Sequence, residues 1–528
     1  MFINKKIKSL LLICLCVALA IFTQIAYEIE NKYVVRELNK DKINIAEIES
    51  TFKKVDKLDI EVKLWDTEPY YKAEENIYYF LIDEKYFENT TKPKIKIETE
   101  EKIYYFSILN DFYDKDEGLY VDSEKVYDFL ICDGLNYYRF NAKFTCIPMV
   151  NIITSQEITT NAQPAHVEFY MKDHADGIGT TVVSSETIIY VRGRSSLYYP
   201  KKQYRLKLRK DNDYNKVSLL GMNDDEDWIL DSLYSDYSKV RTKLAFDLWN
   251  QINSYTNVDY DNDLAMEYID VYINGEYHGL YLLKEFYDWK KLNLDRNSED
   301  GSGILVKGIQ YGEIDWNNYE NAKHSQDVFP FILKYPKNLP DHSKYWDTII
   351  PKIYSNFIDR DKITEEYLLE NFYIQNYNDY NLLINFIMAM DNFEEKNVYL
   401  SMKNMKEDTK VLITPWDLDM SFGYNWGSSE TNLVEDSETV NNVSNLWTKS
   451  DYINDLLSNR YWDLRVSVFN MKNINEKIDS YYNLIKHSIK RDNEKWLKTD
   501  LELETNKVRE WIENRIEVLD EEFRTGKK

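Results

Sequence analysis

The chain has 528 residues, long for one domain, and its 43% hydrophobic and 15% aromatic content is enough for real cores. Lys and Arg number 66 against 91 Asp and Glu, a net charge of 66 − 91 = −25. Such acidity excludes nucleic acid as a general partner, because phosphate backbones need a basic face, but it leaves room for one local basic pocket.

The first nine residues, "MFINKKIKS", carry three lysines, and the uncharged run "LLLICLCVALAIFTQIA" at 10–26 follows. A basic flank before an apolar stretch reads as a signal peptide or an N-terminal membrane anchor. Ala18-Leu19-Ala20 resembles a cleavage site, yet the apolar run continues past it, so both readings stand. Either one places the rest of the chain outside the cytoplasm, membrane-anchored or secreted, because lysines before a first span stay inside. Cys14 and Cys16 lie in that run. Cys132 and Cys146 are left for the exported part, as one disulfide or as two buried thiols. With no CxxC pair and six His, zinc is not expected.

Residues 27–50 form a charged, helical or loose connector. From 51 to 144 apolar and polar positions alternate, as in "NIYYFLIDEKYF" and "LNYYRFNAKF", which predicts a small β-rich domain without a chemical motif. The expected division is a leader at 1–26, a connector and β-rich domain at 27–144, and a third domain at 145–528. The third begins with strand candidates in "CIPMVNIITS", "HVEFYM" and "TIIYVRG". In "YPKKQYRLKLRK", 199–210, Lys202, Tyr204, Leu206 and Leu208 share one face, and Lys201, Gln203, Arg205 and Lys207 the other. Asn274-Gly275 joins two alternating runs as a hairpin turn. The second half turns helical. Leu382, Leu383, Phe386, Ile387 and Met390 line one face of 381–390, and Val508, Trp511, Ile512, Arg515, Ile516 and Leu519 line another near the C-terminus. Strands first and helices afterwards make an α+β architecture.

The stretch "MAMDNFEEKNVYLSMKN", 388–404, ends a helix, passes through acids and amides, and becomes a strand at 398–402; "VLI", 411–413, is the returning strand before "PWDLD". Antiparallel pairing would bring Asp391, Asn397, Asp417 and Asp419 together. A few carboxylate and amide oxygens suit Mg²⁺ carrying phosphate, and a further carboxylate can accept a hydroxyl proton. The competing reading is that these residues cap a helix and fill turns, as Asp and Asn commonly do. The segment 190–208 is locally basic, with Arg192, Arg194, Lys201 and Lys202 beside Gly193, Ser195 and Ser196, and can serve polyphosphate. No P-loop and no ordinary kinase string of glycine-rich loop, H-R-D and D-F-G is present.

These pieces, in order, resemble the CotH kinase family, atypical protein kinases named for a bacterial spore-coat protein. They are "RGRSSLYYPKKQYRLKL" (192–208), "SLLGMNDDEDWIL" (218–230), "LYSDYSKVRTKLAFDLW" (233–249), "YIDVYINGEYHGLYLLKE" (268–285), "MDNFEEKNVYLSM" (390–402) and "PWDLDMSFG" (415–423). The resemblance spans roughly residues 145–520. It implies a two-lobed, atypical protein-kinase-like domain, strand-rich then helix-rich, that uses ATP with Mg²⁺ or Mn²⁺ to phosphorylate Ser or Thr of surface or spore-coat-type proteins. By position it implies that Lys202, or Lys201, contacts nucleotide phosphates and that Asp391 is the active-site aspartate. Asn397 and Asp417 become metal ligands, with Asp419 beside them. Arg192, Arg194, Arg241 and Glu285 are further nucleotide-side candidates. Two departures stand out: the stretch from Asp391 to Asn397 is one residue longer than the family pattern, and Arg194 replaces a frequent asparagine. The alternative function is a non-catalytic cell-surface interaction module on the same fold. A carbohydrate-active enzyme built on paired acids ranks last, because it gives the lysine-rich strand no role.

Overall fold

A computed structural model describes residues 35–37, 45–55, 61–64, 67, 69–72, 76–82, 95–98, 104–108, 113–114 and 118–119, and then 125–525 except 133–134, 173–179, 212, 256–261, 297–301, 358–362, 390, 393–395, 408, 425–446 and 449. The leader expected at 1–26 lies outside the described residues. Among those described, no helix is long and apolar enough to cross a membrane. The chain is a mixed α and β protein that divides into two compact units. One comprises 1–155, 166–185 and 270–278, and the other 156–165, 186–269 and 279–528.

The first unit realises the alternation of 51–144. Its sheet runs Val35–Glu37, Tyr104–Ile108, Tyr127–Cys132, Asn136–Thr145, Ile77–Leu81 and Tyr70–Lys72, with Lys53–Lys54 pairing beside Asn136–Thr145. On one face Phe129 stacks on Phe140 with ring centroids 5.1 Å apart and Phe80 on Phe144 at 5.6 Å, and on the other Leu130 and Cys132 are buried with Ile48. Cys132 and Cys146 are both buried. Met149–Ile153 pairs antiparallel with 166–170 and parallel with 270–273. That pairing draws two later segments into the unit. Asn274 and Gly275 take φ of 49° and 82°, the left-handed pair that a two-residue hairpin turn requires.

The second unit carries two sheets and the long helices. In the first sheet, residues 186–192 pair with 203–209, 204–207 with 227–230, and 229–231 with 282–284, all antiparallel. Tyr204, Leu206 and Leu208 are buried, while Gln203, Arg205 and Lys207 are half-buried on the opposite face, as the alternation predicts. The second sheet runs Asp327–Val328, Phe331–Tyr335, Ile304–Gly308, Val398–Met402 and Leu412–Pro415. The outer edge of its last strand is closed by backbone pairing of Val411 with Phe372 and by one helix side chain. Asn376 accepts from the backbone N–H of Ile413 (2.8 Å) and donates to the Ile413 carbonyl (3.0 Å).

Asn376 lies on the helix Ile374–Ile387. The periodicity carried that helix to 390, but it stops at Ile387, because Met388 turns left-handed (φ 45°) and caps it. Leu382, Leu383, Phe386 and Ile387 are buried as expected, and Met390 lies outside the described residues. The expected C-terminal face lies within the helix Leu501–Thr525, and all six of its residues are buried. Arg515 is among them. Its guanidinium bonds the Asn385 carbonyl from Nε (3.1 Å) and Nη2 (2.8 Å), close to the end of the helix that precedes Asp391. The same C-terminal helix meets the motif "PWDLDMSFG" at its last residue. Gly423 has φ 81°, and a Cβ there would lie 2.6 Å from the Trp511 ring. Gly423→Ala should therefore lower the unfolding free energy in urea by about 1–3 kcal/mol. A loss below roughly 0.5 kcal/mol would show that the contact does not constrain the chain.

Candidate active site

The two strands Val398–Met402 and Leu412–Pro415 pair antiparallel, with Val398 opposite Pro415. The register continues one step further, because the Trp416 N–H donates to the Asn397 carbonyl at 3.0 Å. Asn397 therefore sits beside the entry to Asp417 and Asp419. Asn397 and Asp417 both take positive φ, 53° and 58°. Asn and Asp tolerate that region better than other side chains, and non-glycine residues held there gather at functional sites.

Asp391 is nearly buried and well partnered. Its Oδ2 accepts from Asn397 Nδ2 at 2.9 Å. Its Oδ1 accepts from the Tyr311 hydroxyl at 3.2 Å and forms an ion pair with Lys396. Asp417 and Asp419 are half-buried. Burial pushes the Asp419 carboxyl well above the usual carboxylate range, the charges of Asp417, Asp231 and Asp391 push the same way, and Lys284 opposes them. The four predicted oxygen donors are thus brought together, with Asp231 as a fifth acidic or amide neighbour.

Facing them are two lysines that the local pattern does not mark, together with the expected Arg192. Lys284, at the end of the strand Glu276–Lys284, is buried and bonds Asp231 Oδ2 at 2.5 Å. Burial alone would raise the Asp231 carboxyl, but the Lys284 ammonium holds it below the usual range. Lys307, in the strand Ile304–Gly308, lies 5.1 Å from the centroid of the Trp416 ring, and Lys284 lies 5.2 Å from it. Arg192 adds a third positive charge near Asp231 and Lys307. Burial brings the Lys307 ammonium down to about 7; Asp417 pulls it up, while Arg192, Lys334 and Lys284 push it further down. Faint signals existed for each residue. The motif "SLLGMNDDEDWIL" stops one residue short of Asp231, Lys284 adjoins the candidate Glu285, and Lys307 is the lone charge in "GILVKGI".

The remaining candidates, and Arg192, each have a partner of their own. Lys201 is fully buried and donates to Asp492 Oδ1 and to the Leu280 carbonyl, both at 2.6 Å. Asp492 lies on the helix Met471–Lys495, so this ion pair anchors the strand entry to the helical layer. Lys202 is half-buried and donates to the Leu197 carbonyl at 2.7 Å. Arg241 pairs with Asp236 (2.7 Å) at the start of its helix. Glu285 pairs with Lys291 (2.8 Å) and accepts from the N–H groups of Asn223 and Ala265. The Arg192 guanidinium bonds Gln203 at 2.6 Å. The exposed Arg194 reaches the Ile309 carbonyl (2.8 Å) and the Gln310 side chain (3.0 Å).

Among the described residues, no three His, Cys, Asp or Glu side chains converge closely enough to hold a metal ion unaided. Mg²⁺ rarely uses such an all-protein cage; it takes one or two carboxylates and completes its shell with water and phosphate oxygens. Asp417 and Asp419, two carboxylates close enough for the charge of the first to raise the proton affinity of the second, fit that role.

Acids at a hairpin end, faced by the buried Lys284 and the half-buried Lys307, are the layout that phosphoryl transfer needs. The family model described as CotH kinase protein matches residues 189–519. This match takes in every residue of the site, and the chain belongs to the CotH kinase family. It is accordingly a kinase-like protein of a family that uses ATP and divalent metal in general. No curated protein matches the chain.

Lys307 gives the site a measurable proton linkage. Between about pH 7 and its ordinary 10.5, Lys307 is neutral when folded and charged when unfolded. Its contribution to stability therefore rises with pH across that window. A bound phosphate should hold it charged. ADP binding at pH 8 should then take up close to one proton, roughly the neutral fraction one unit above the folded value. Calorimetry in two buffers of different ionisation enthalpy reads that number, and Lys307→Gln should remove it. Binding of ADP without proton uptake would contradict the assignment.

Proposed function

We propose that the protein transfers the γ-phosphoryl group of ATP to a Ser or Thr hydroxyl of a surface or spore-coat-type protein. The observation that carries this reading is the convergence of Asp391, Asn397, Asp417 and Asp419 at one hairpin end, opposite the Lys284–Asp231 pair and Lys307. A binding-only module has no need for a nearly buried carboxylate with one oxygen oriented and the other facing a hydroxyl.

In this reading Asn397 fixes Asp391 through Oδ2, and Oδ1, which the Tyr311 hydroxyl and the Lys396 ammonium address in the structure, accepts the proton of the incoming hydroxyl. Lys284, Lys307 and Arg192 bind the phosphate oxygens, and the low dielectric around Trp416 strengthens their hold. Asp417 and Asp419 would hold Mg²⁺ or Mn²⁺, which supplies charge neutralisation on the phosphate oxygens when bound. Lys396, paired with Asp391, adds positive charge where the transferred group arrives. The basic, apolar N-terminal run supports a membrane-anchored or secreted location, and Ser/Thr-rich extracytoplasmic proteins are the acceptors proposed.

Purified protein with Mg²⁺, γ-labelled ATP and a Ser-rich acceptor should transfer label. Asp391→Ala and Asp417→Ala should each reduce transfer by at least about a hundredfold, the scale of a lost general base or charge-stabilising group, without loss of folding. No transfer together with no metal-dependent ATP binding would leave a non-catalytic surface module on this fold.

A further inference from the structure

We propose that Tyr311 is a phosphoryl acceptor in cis, a phenolic modification site at the mouth of the same centre; the proposal rests on the phosphotransferase reading above. Tyr311 follows the strand Ile304–Gly308. Two features set where its side chain goes. Arg194 holds the preceding residues, bonding the Ile309 carbonyl and the Gln310 side chain. Gly312 follows with φ 141°, and a Cβ there would lie 2.6 Å from the Phe329 ring, so only glycine allows the chain to turn at this point.

The phenol hydroxyl so placed donates to Asp391 Oδ1 at 3.2 Å. Asn397 already occupies the other carboxylate oxygen at 2.9 Å. Oδ1 is therefore the atom an acceptor hydroxyl must address, and a hydroxyl of the chain itself addresses it within hydrogen-bond reach. The residue is 40% exposed, so the phenol stands at the opening of the site and not in the core. Lys396 pairs with the same Asp391 oxygen, and its ammonium lies 5.0 Å from the centroid of the Tyr311 ring. A phosphate formed on Tyr311 would meet that cation at once.

The step balances with ATP as donor. The Tyr311 hydroxyl gives its proton to Asp391 and its oxygen bonds to the γ-phosphorus. The bond from that phosphorus to the bridging oxygen breaks, and ADP leaves with the electron pair. Until it reacts or swings aside, the unmodified ring competes with any external acceptor for Oδ1. A tethered competitor lowers apparent acceptor affinity by the fraction of molecules in which it is seated.

The test uses the full chain with Mg²⁺ and ATP, read by intact mass and by mapping the modified peptide, with a Ser-rich protein acceptor in parallel. One phosphate on Tyr311, formed at a rate that does not change on dilution and absent from Tyr311→Phe and Asp391→Asn, is the expected result. Tyr311→Phe should also raise transfer to the external acceptor at least about twofold. Label on the acceptor with none on Tyr311 would overturn the proposal and leave the kinase reading intact. A fall in acceptor transfer in Tyr311→Phe, again with Tyr311 unmodified in the parent, would assign the ring to positioning Asp391 instead. No label on either substrate would remove both readings together.

Discussion

One side-chain amide holds the two halves of the site in register. Asn392 is buried, and its Nδ2 donates to the Asn397 carbonyl at 3.0 Å and to the Trp416 carbonyl at 2.6 Å. Those carbonyls belong to residues that face each other across the hairpin, just where regular pairing ends. Without the amide, the Trp416 carbonyl would lose its donor, at a cost of about 1–3 kcal/mol, and the Asn397 carbonyl would keep only the Trp416 N–H. With it, Asn397 and Asp417 are kept in left-handed conformations that an unsupported chain would leave. The helix Ile374–Ile387 adds a second clamp through Asn376 on Ile413, and Arg515 adds a third from the C-terminal helix.

Charge is distributed on the same plan. A protein of net charge −25 concentrates Arg192, Lys284 and Lys307 opposite its cluster of aspartates. Neither set is comfortable without a ligand. Burial and neighbouring acids favour a proton on Asp419, while burial and neighbouring cations favour the loss of one from Lys307. A divalent cation relieves the first and a phosphate relieves the second, so a metal–polyphosphate ligand answers both at once. Trp416, with Lys284 and Lys307 near its ring, is the apolar partition that keeps this field strong.

Much of this was legible in the sequence because it follows from local rules. The hairpin at 398–415, the burial of Tyr204, Leu206 and Leu208, and the Asn274-Gly275 turn all rest on period two and on left-handed turn residues. The convergence of Asp391, Asn397, Asp417 and Asp419 followed once that hairpin was drawn. What stayed hidden depends on distant partners. Alternation put Lys201 on the open face with Arg205 and Lys207, but it lies before the strand begins, and Asp492 buries it from 291 positions away. Asp231 and Lys284 look like ordinary strand ends until the antiparallel strands 227–231 and 276–284 bring them together. The end of the helix at Ile387 turned on a left-handed Met388, a conformation that methionine does not advertise.

The central claim is that one site binds metal and polyphosphate jointly. Calorimetric titration of the full chain with a non-hydrolysable ATP analogue, with and without Mg²⁺, tests it most directly. The account predicts that Mg²⁺ tightens binding by at least about tenfold, some 1.4 kcal/mol, and that Asp417→Asn erases the metal effect while metal-free binding through Lys284 and Lys307 persists. Equal affinity with and without Mg²⁺, or a metal effect that survives in Asp417→Asn, would contradict it.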